Sequence, residues 1–135
     1  MRAVLVDSSV VLDLFTADPV FFGSSFDCLS VWGAKGDLLI NEIVYTEVSV
    51  GFDRIEDLDE ALAGAGFLAV PMPKEALFLA GKAFLKYRRR GGAKIPPLPD
   101  FFIGAHAAVA GLPLITRDPV RVRDAFPGVD LIDPR

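Results

Sequence analysis

Arg2-Ala3-Val4-Leu5-Val6-Asp7-Ser8-Ser9-Val10-Val11 is the stretch that decides the fold. Its first half is a short apolar run that reads as a buried strand. Asp7, Ser8 and Ser9 end the run with residues suited to capping a helix. Val10, Val11 and Leu14 then recur at helical spacing until Asp18-Pro19 breaks the pattern. A strand feeding directly into a helix opens an α/β alternation, and the residues beyond it continue the same alternation.

Residues 22–32 form a second helical stretch, closed by Gly33 and Gly36, and residues 37–40 read as a second strand. Asn41 is placed to cap a helix over residues 42–50, stopped by Gly51. Residues 55–62 make a charged, exposed helix, and residues 67–70 a third strand. Pro73 suits the first position of a long helix reaching about Arg88. Gly91-Gly92 ends that helix, and Pro96-Pro97-Leu98-Pro99 follows as a rigid loop. A small-residue helix over 100–110, a strand over 112–116, a short helix over 119–125 and a strand over 129–132 complete the pattern. Strands alternating with helices predict an α/β class fold: a single doubly wound domain over residues 1–135, with a central, mainly parallel five-stranded sheet.

The bulk numbers exclude several classes. With 135 residues, 52% of them hydrophobic and 24% charged, the chain can build a core and is unlike a disordered one. The lone Cys28 excludes an internal disulfide. No apolar run approaches the roughly 20 residues of a membrane span. Asp7, Ser8, Ser9 and Asp13 interrupt the opening apolar run before a signal-peptide core can form. The expectation is a cytoplasmic protein with no membrane partner.

A net charge of −4 argues, on average, against a nucleic-acid binder. The distribution says otherwise. Seven of the 14 basic residues lie between Lys74 and Lys94, opposed there by Glu75 alone, and a second group comprises Arg117, Arg121 and Arg123. Acidic residues gather instead over 53–60. The Arg88-Arg89-Arg90 run is a candidate clamp for a phosphodiester backbone, although such faces are also commonly just solvated.

Four acids carry the functional signal. In open parallel sheets, ligands bind beyond the carboxyl ends of the strands. Asp7 directly follows the first strand, and Asp118 follows the fourth by two residues. Asp100 opens the helix leading into that fourth strand. Glu47 shares a helix face with Ile43, Val44, Val48 and Gly51, and Asp100 shares one with Ile103, Gly104, Ala107 and Gly111. No Lys or Arg lies within a helical turn of either acid. Each acid also has a purely structural alternative: Asp7, Asp100 and Asp118 as residues at helix starts, Glu47 as a side chain turned to the surface.

Two carboxylates about 5 Å apart repel by about 3 kcal/mol at an effective dielectric near 20. A cluster of four requires a counter-charge, and an all-oxygen donor set suits Mg²⁺ or Mn²⁺. His106 is the single histidine and Cys28 the single thiol, so a zinc site cannot be assembled. Acid–base chemistry would then run through metal-bound water. His106, set among alanines, and the phenylalanines at 21, 22, 26, 78, 84 and 101 with Trp32 are expected in packing or a dimer interface.

The ordered set Val6-Asp7-Ser8-Ser9, Glu47 on a helix, Pro99-Asp100-Phe101-Phe102-Ile103-Gly104, and Thr116-Arg117-Asp118-Pro119 before a final strand resembles the PIN domain, more narrowly the VapC-type toxins. The resemblance runs from Arg2 to about Pro134. It implies an Mg²⁺- or Mn²⁺-dependent endoribonuclease that cuts an RNA phosphodiester by in-line attack of metal-activated water. It also implies a homodimer silenced by a cognate antitoxin. Carried over by position, Asp7, Glu47, Asp100 and Asp118 are the catalytic acids, with Asp7 and Asp100 on the metal. Glu47 and Asp118 would bind a second ion or orient the water, the role of Asp118 being the least defined by the match. Ser8 and Thr116 are supporting hydroxyls, and Arg88, Arg89, Arg90 and Arg117 the expected contacts to the RNA backbone.

The competing reading is a catalytically silent PIN-like module that binds RNA or a protein. An aspartyl-nucleophile phosphatase would need an acid where Ser9 stands. A receiver domain would need an acid pair before Asp7 and a lysine after the last strand.

Overall fold

The computed structural model describes residues 2–91 and 98–135. The central strand β1 (Val4–Val6) lies between β2 (Leu38–Ile40) and β4 (Leu114–Ile115), with β3 (Phe67–Ala69) and β5 (Leu131–Ile132) at the edges. All four pairings are parallel, in the order β3-β2-β1-β4-β5. Val4 pairs with Leu38, and Leu5 with both Leu39 and Leu114. The sheet is therefore entirely parallel among the described residues, as the strand–helix alternation predicts.

Val4, Leu5, Val6, Ile40, Leu114 and Ile115 are wholly buried, because helices cover both faces of the sheet. Each contributes about 1.5–3 kcal/mol by leaving water. The covering helices are α1 (Ser8–Phe15), α2 (Phe22–Lys35), α3 (Glu42–Ser49), α4 (Ile55–Gly64), α5 (Lys74–Arg89), α6 (Leu98–Ala110) and α7 (Pro119–Ala125). Asn41 caps α3 as expected, its side-chain oxygen accepting from the N–H groups of Ile43 and Val44, each at 3.0 Å.

Three boundaries differ from expectation. α2 continues through Gly33 to Lys35, and Gly36 ends it because backbone must pass there: a Cβ on Gly36 would overlap the Arg2 carbonyl. Pro73 occupies the N-cap of α5 in an extended conformation rather than its first helical position. α6 begins at Leu98, so Pro99 lies in its first turn, where a missing N–H costs nothing. The expected loop residues Pro96 and Pro97, together with Gly92 and Lys94, lie outside the described residues.

α6 carries the close packing that fixes the site. Its Phe101 is buried and meets Phe84 and Tyr87 of α5 edge-on, with ring centroids 5.9 and 5.4 Å apart. On its other side Gly104 lies against α7, where a Cβ would come within 2.6 Å of the Phe126 ring. No described helix is long and apolar enough to cross a membrane.

Candidate active site

The chain winds outward from β1 to β3 on one side, then returns to add β4 and β5 on the other. The switch point falls between β1 and β4, where parallel sheets leave a crevice at the carboxyl ends of the strands. Asp7 leaves β1 there, at the N-cap of α1, and is 7% exposed. Thr116, just beyond β4 and also buried, donates its hydroxyl to Asp7 Oδ2 at 2.8 Å. Ser9 donates to the same oxygen at 2.9 Å. Asp7 Oδ1 is left with a long contact from the Ser8 hydroxyl, at 3.5 Å.

Ser8 instead donates to Glu47 Oε1 at 2.8 Å, tying α1 to α3. Val44 and Val48 of the same helix are wholly buried, which brings Glu47 half-buried to the switch-point edge, as its shared face predicts. Burial pushes the Asp7 carboxyl above the ordinary aspartate range. The hydrogen bonds from Thr116 and Ser9 oppose that rise, and the neighbouring charge of Asp100 adds to it. Glu47 is likewise raised by burial, with Ser8 opposing and both Asp7 and Asp100 adding repulsion. Asp7 and Glu47 thus meet through Ser8 at one sheet edge, and the charge of Asp100 bears on both.

Asp118 is exposed, its charge acts on Arg135, and its backbone N–H donates to Thr116 Oγ1 at 3.0 Å. It shares a cleft of about 500 Å³ with Asp100, Arg121 and Arg135. Asp118 is therefore the outermost of the four acids, exposed at the rim of the cleft that Asp100 also lines.

The cationic residues also rearrange the picture. Asp100 pairs with Arg121 Nη1 at 2.8 Å. This counter-charge arrives from α7, so scanning one helical turn around Asp100 could not reveal it. Arg117, expected on the RNA backbone, turns inward. Its guanidinium grips Asp13 in a two-point pair, at 2.6 Å from Nε and 3.0 Å from Nη2, and sits 4.0 Å over the Phe21 ring. Asp13 is 2% exposed and also accepts from Ser25 at 2.8 Å. The sequence did not single out Asp13 as the partner that holds Arg117; its place on the α1 face beside the buried Val10 was the available signal. Arg88, Arg89 and Arg90 end α5 exposed, Arg90 pairing with Asp124 at 3.0 Å. His106 is buried. The Asn41 amide donates to its Nδ1 at 3.0 Å, which leaves a neutral ring, and burial lowers its pKa.

No group of three or more His, Cys, Asp or Glu side chains among the described residues is arranged as a ready-made ion site. The donor chemistry nonetheless fits a hard divalent cation. Asp7 and Glu47 offer carboxylate oxygens, and no cation partners either of them among the described residues. A separate cleft of about 650 Å³ opens at the opposite edge of the sheet, between Gly36 and Gly66, with Asp37 as its one lining carboxylate.

A parallel α/β fold with carboxylates at its switch point defines a class of proteins that bind their ligand in the crevice beyond the strand ends. Residues 4–124 match the family model of the PIN domain, and the chain belongs to the PIN domain family. PIN domains are generally nucleases, and PIN nucleases typically use divalent metals. Among solved structures, the chain is similar to VapBC2 from Rickettsia felis bound to a DNA fragment from their promoter, at 16% identity and a TM-score of 0.75 over 98% of both chains. It is also similar to a toxin–antitoxin complex from Klebsiella pneumoniae, at 22% identity and a TM-score of 0.71 over 98% of both chains. VapBC-1 from nontypeable Haemophilus influenzae matches at 17% and 0.72, again over 98% of both. At these identities the likeness establishes the fold. No curated protein matches the chain.

Proposed function

We propose that the chain, acting as one domain over residues 1–135, is a metal-dependent endoribonuclease and the toxin of a toxin–antitoxin pair. The observation that carries this reading is the meeting of Asp7 and Glu47 at the Ser8 hydroxyl on the switch-point edge, neither carboxylate having a cationic partner among the described residues. An arrangement that raises its own carboxyl groups is costly to a fold and useful to a cation-binding site.

Asp7 and Asp100 are the residues that would hold Mg²⁺ or Mn²⁺. The ion would supply a water acidified enough to attack phosphorus at neutral pH, together with positive charge against the phosphodiester. The hydroxyls of Thr116 and Ser9 fix Asp7 Oδ2, so that Oδ1 is the oxygen presented to the ligand side. Ser8 holds Glu47 in place to orient the attacking water and accept its proton. Asp118, at the rim, fixes Thr116 through its backbone N–H and lends its carboxylate to water orientation. The exposed basic end of α5 (Arg88, Arg89 and Arg90) binds the RNA backbone.

The likeness to the VapBC and Klebsiella complexes supports a protein antitoxin as partner. Exposed apolar side chains on α2 and α5, including Phe26 and Phe78, support a homodimer. The single free cysteine, Cys28, supports a reducing compartment such as the cytoplasm. The silent-module reading draws on one observation, the lack of a ready-made ion site among the described residues.

Chelator-stripped protein, incubated with end-labelled RNA, separates the two readings. Cleavage restored by Mg²⁺ or Mn²⁺, and lost in Asp7→Asn and Asp100→Asn, is the nuclease result. RNA left intact at every metal concentration would leave the binding module as the function. In cells, both variants should relieve growth arrest on overexpression.

A further inference from the structure

Of the three mutually repelling carboxylates, only Asp100 has a cationic partner among the described residues, and that partner is Arg121 at 2.8 Å. The pair is weakly held. The Arg121 side chain is 50% exposed and that of Asp100 31%, and ion pairs so open to water contribute little. Arg121 also stands where two clefts meet. One, of about 500 Å³, contains Asp100 and Asp118. The other, of about 50 Å³, contains Lys86 and Arg90 of the basic end of α5. Arg121 and Asp124 line both. A phosphodiester chain leaving the carboxylate group toward Lys86 and Arg90 would pass over Arg121 first.

We propose that Arg121 is an exchangeable counter-ion: it neutralises Asp100 while the carboxylate group is ion-free, and binds the substrate phosphodiester once Asp100 is given to a divalent cation. The inference rests on the nuclease reading and extends it to a residue and an order of events. Its chemistry is that of the guanidinium fork, which matches a carboxylate and a phosphate equally well, so the same side chain serves both partners without refolding. A singly charged partner at half-exposed range loses Asp100 to a doubly charged one. Arg121 then has a free fork beside the site at which negative charge must be held. Of the other arginines on that cleft, Arg117 has Nε and Nη2 turned onto the buried Asp13, and Arg135 pairs with Asp133.

The test uses three proteins, the wild type, Arg121→Gln and Arg121→Lys, with melting in EDTA confirming that each is folded. Mn²⁺ binding without RNA is read from the electron paramagnetic resonance signal of the free ion. Removing the competitor should tighten Mn²⁺ binding about two- to fivefold in Arg121→Gln, the fold-change corresponding to an exposed pair. Arg121→Lys should fall between. At saturating Mn²⁺, Arg121→Gln should raise the KM for RNA more than it lowers kcat. The salt dependence of that KM should flatten by about 0.7 of a log unit per log unit of salt, one phosphate contact on a single strand. Mn²⁺ affinity unchanged in Arg121→Gln, or an unchanged KM, would overturn the proposal and make Arg121 a plain α6–α7 tie. Wild type that binds no Mn²⁺ would instead remove the nuclease reading beneath it, so the two failures are distinguishable.

Discussion

Replacing Arg117 by Met should cost the protein several kcal/mol of stability, although nothing about its neighbours in sequence marks it as structural. The guanidinium makes two bonds to Asp13, at 2.6 and 3.0 Å, and its side chain is only 21% exposed. Asp13 is 2% exposed, so removing Arg117 strands a buried carboxylate left, among the described residues, with Ser25 at 2.8 Å as its side-chain partner. Breaking a buried pair in this way costs about 3–5 kcal/mol. At about 2.1 cal/mol/K per residue, 135 residues carry an unfolding entropy near 0.28 kcal/mol/K, so Tm should fall by about 10–18 °C. The double variant Asp13→Leu/Arg117→Met removes both charges together and should recover most of that loss. Thermal melts of the two single variants and the double variant, analysed as a cycle, give the coupling directly. A fall of less than about 2 °C in Arg117→Met, with weakened RNA binding, would refute the reasoning and return Arg117 to the RNA backbone.

Three further outcomes follow from the same geometry. Asp7→Asn should raise the metal-free Tm at pH 7. The folded pKa of Asp7 lies above its unfolded value, so its charged form destabilises the fold and its penalty fades as pH falls through that window; a lower Tm would contradict this. His106→Gln keeps an acceptor for the Asn41 amide but removes a ring whose folded pKa is lowered. Wild-type stability should decline as pH falls below about 6.5, by at most about 1.4 kcal/mol per unit from this group, and the variant's urea midpoints should show a flatter decline. Gly104→Ala puts a methyl 2.6 Å from the Phe126 ring and should cost about 1–3 kcal/mol in denaturant melts, since α6 and α7 must part.

The alternation of short apolar runs with helical spacings was enough to read the sheet, because each buried parallel strand leaves a run that polar helix faces do not. Asn41 announced α3 because a side-chain cap is a local interaction. Asp7 could be singled out because it directly follows a buried strand, and Glu47 and Asp100 because each is an acid on an otherwise apolar helix face. What stayed hidden is contact between residues far apart in sequence. The partner of Asp100 lies 21 residues away, and the partner of Asp13 lies 104 away. Charge counting therefore assigned Arg117 to a substrate and gave Asp100 no counter-ion. The exposure of Asp118 at the rim depends on the backbone after β4, which a Thr-Arg-Asp-Pro string does not specify.

The central claim is that Asp7 and Asp100 together hold a divalent cation. Crystals soaked in Mn²⁺ and measured at a wavelength where manganese scatters anomalously would test it most directly. The account predicts an anomalous peak in contact with Asp7 Oδ1 and an Asp100 oxygen, with Arg121 moved off Asp100. A map without a peak at that edge, and with the Arg121–Asp100 pair still closed at saturating Mn²⁺, would contradict it.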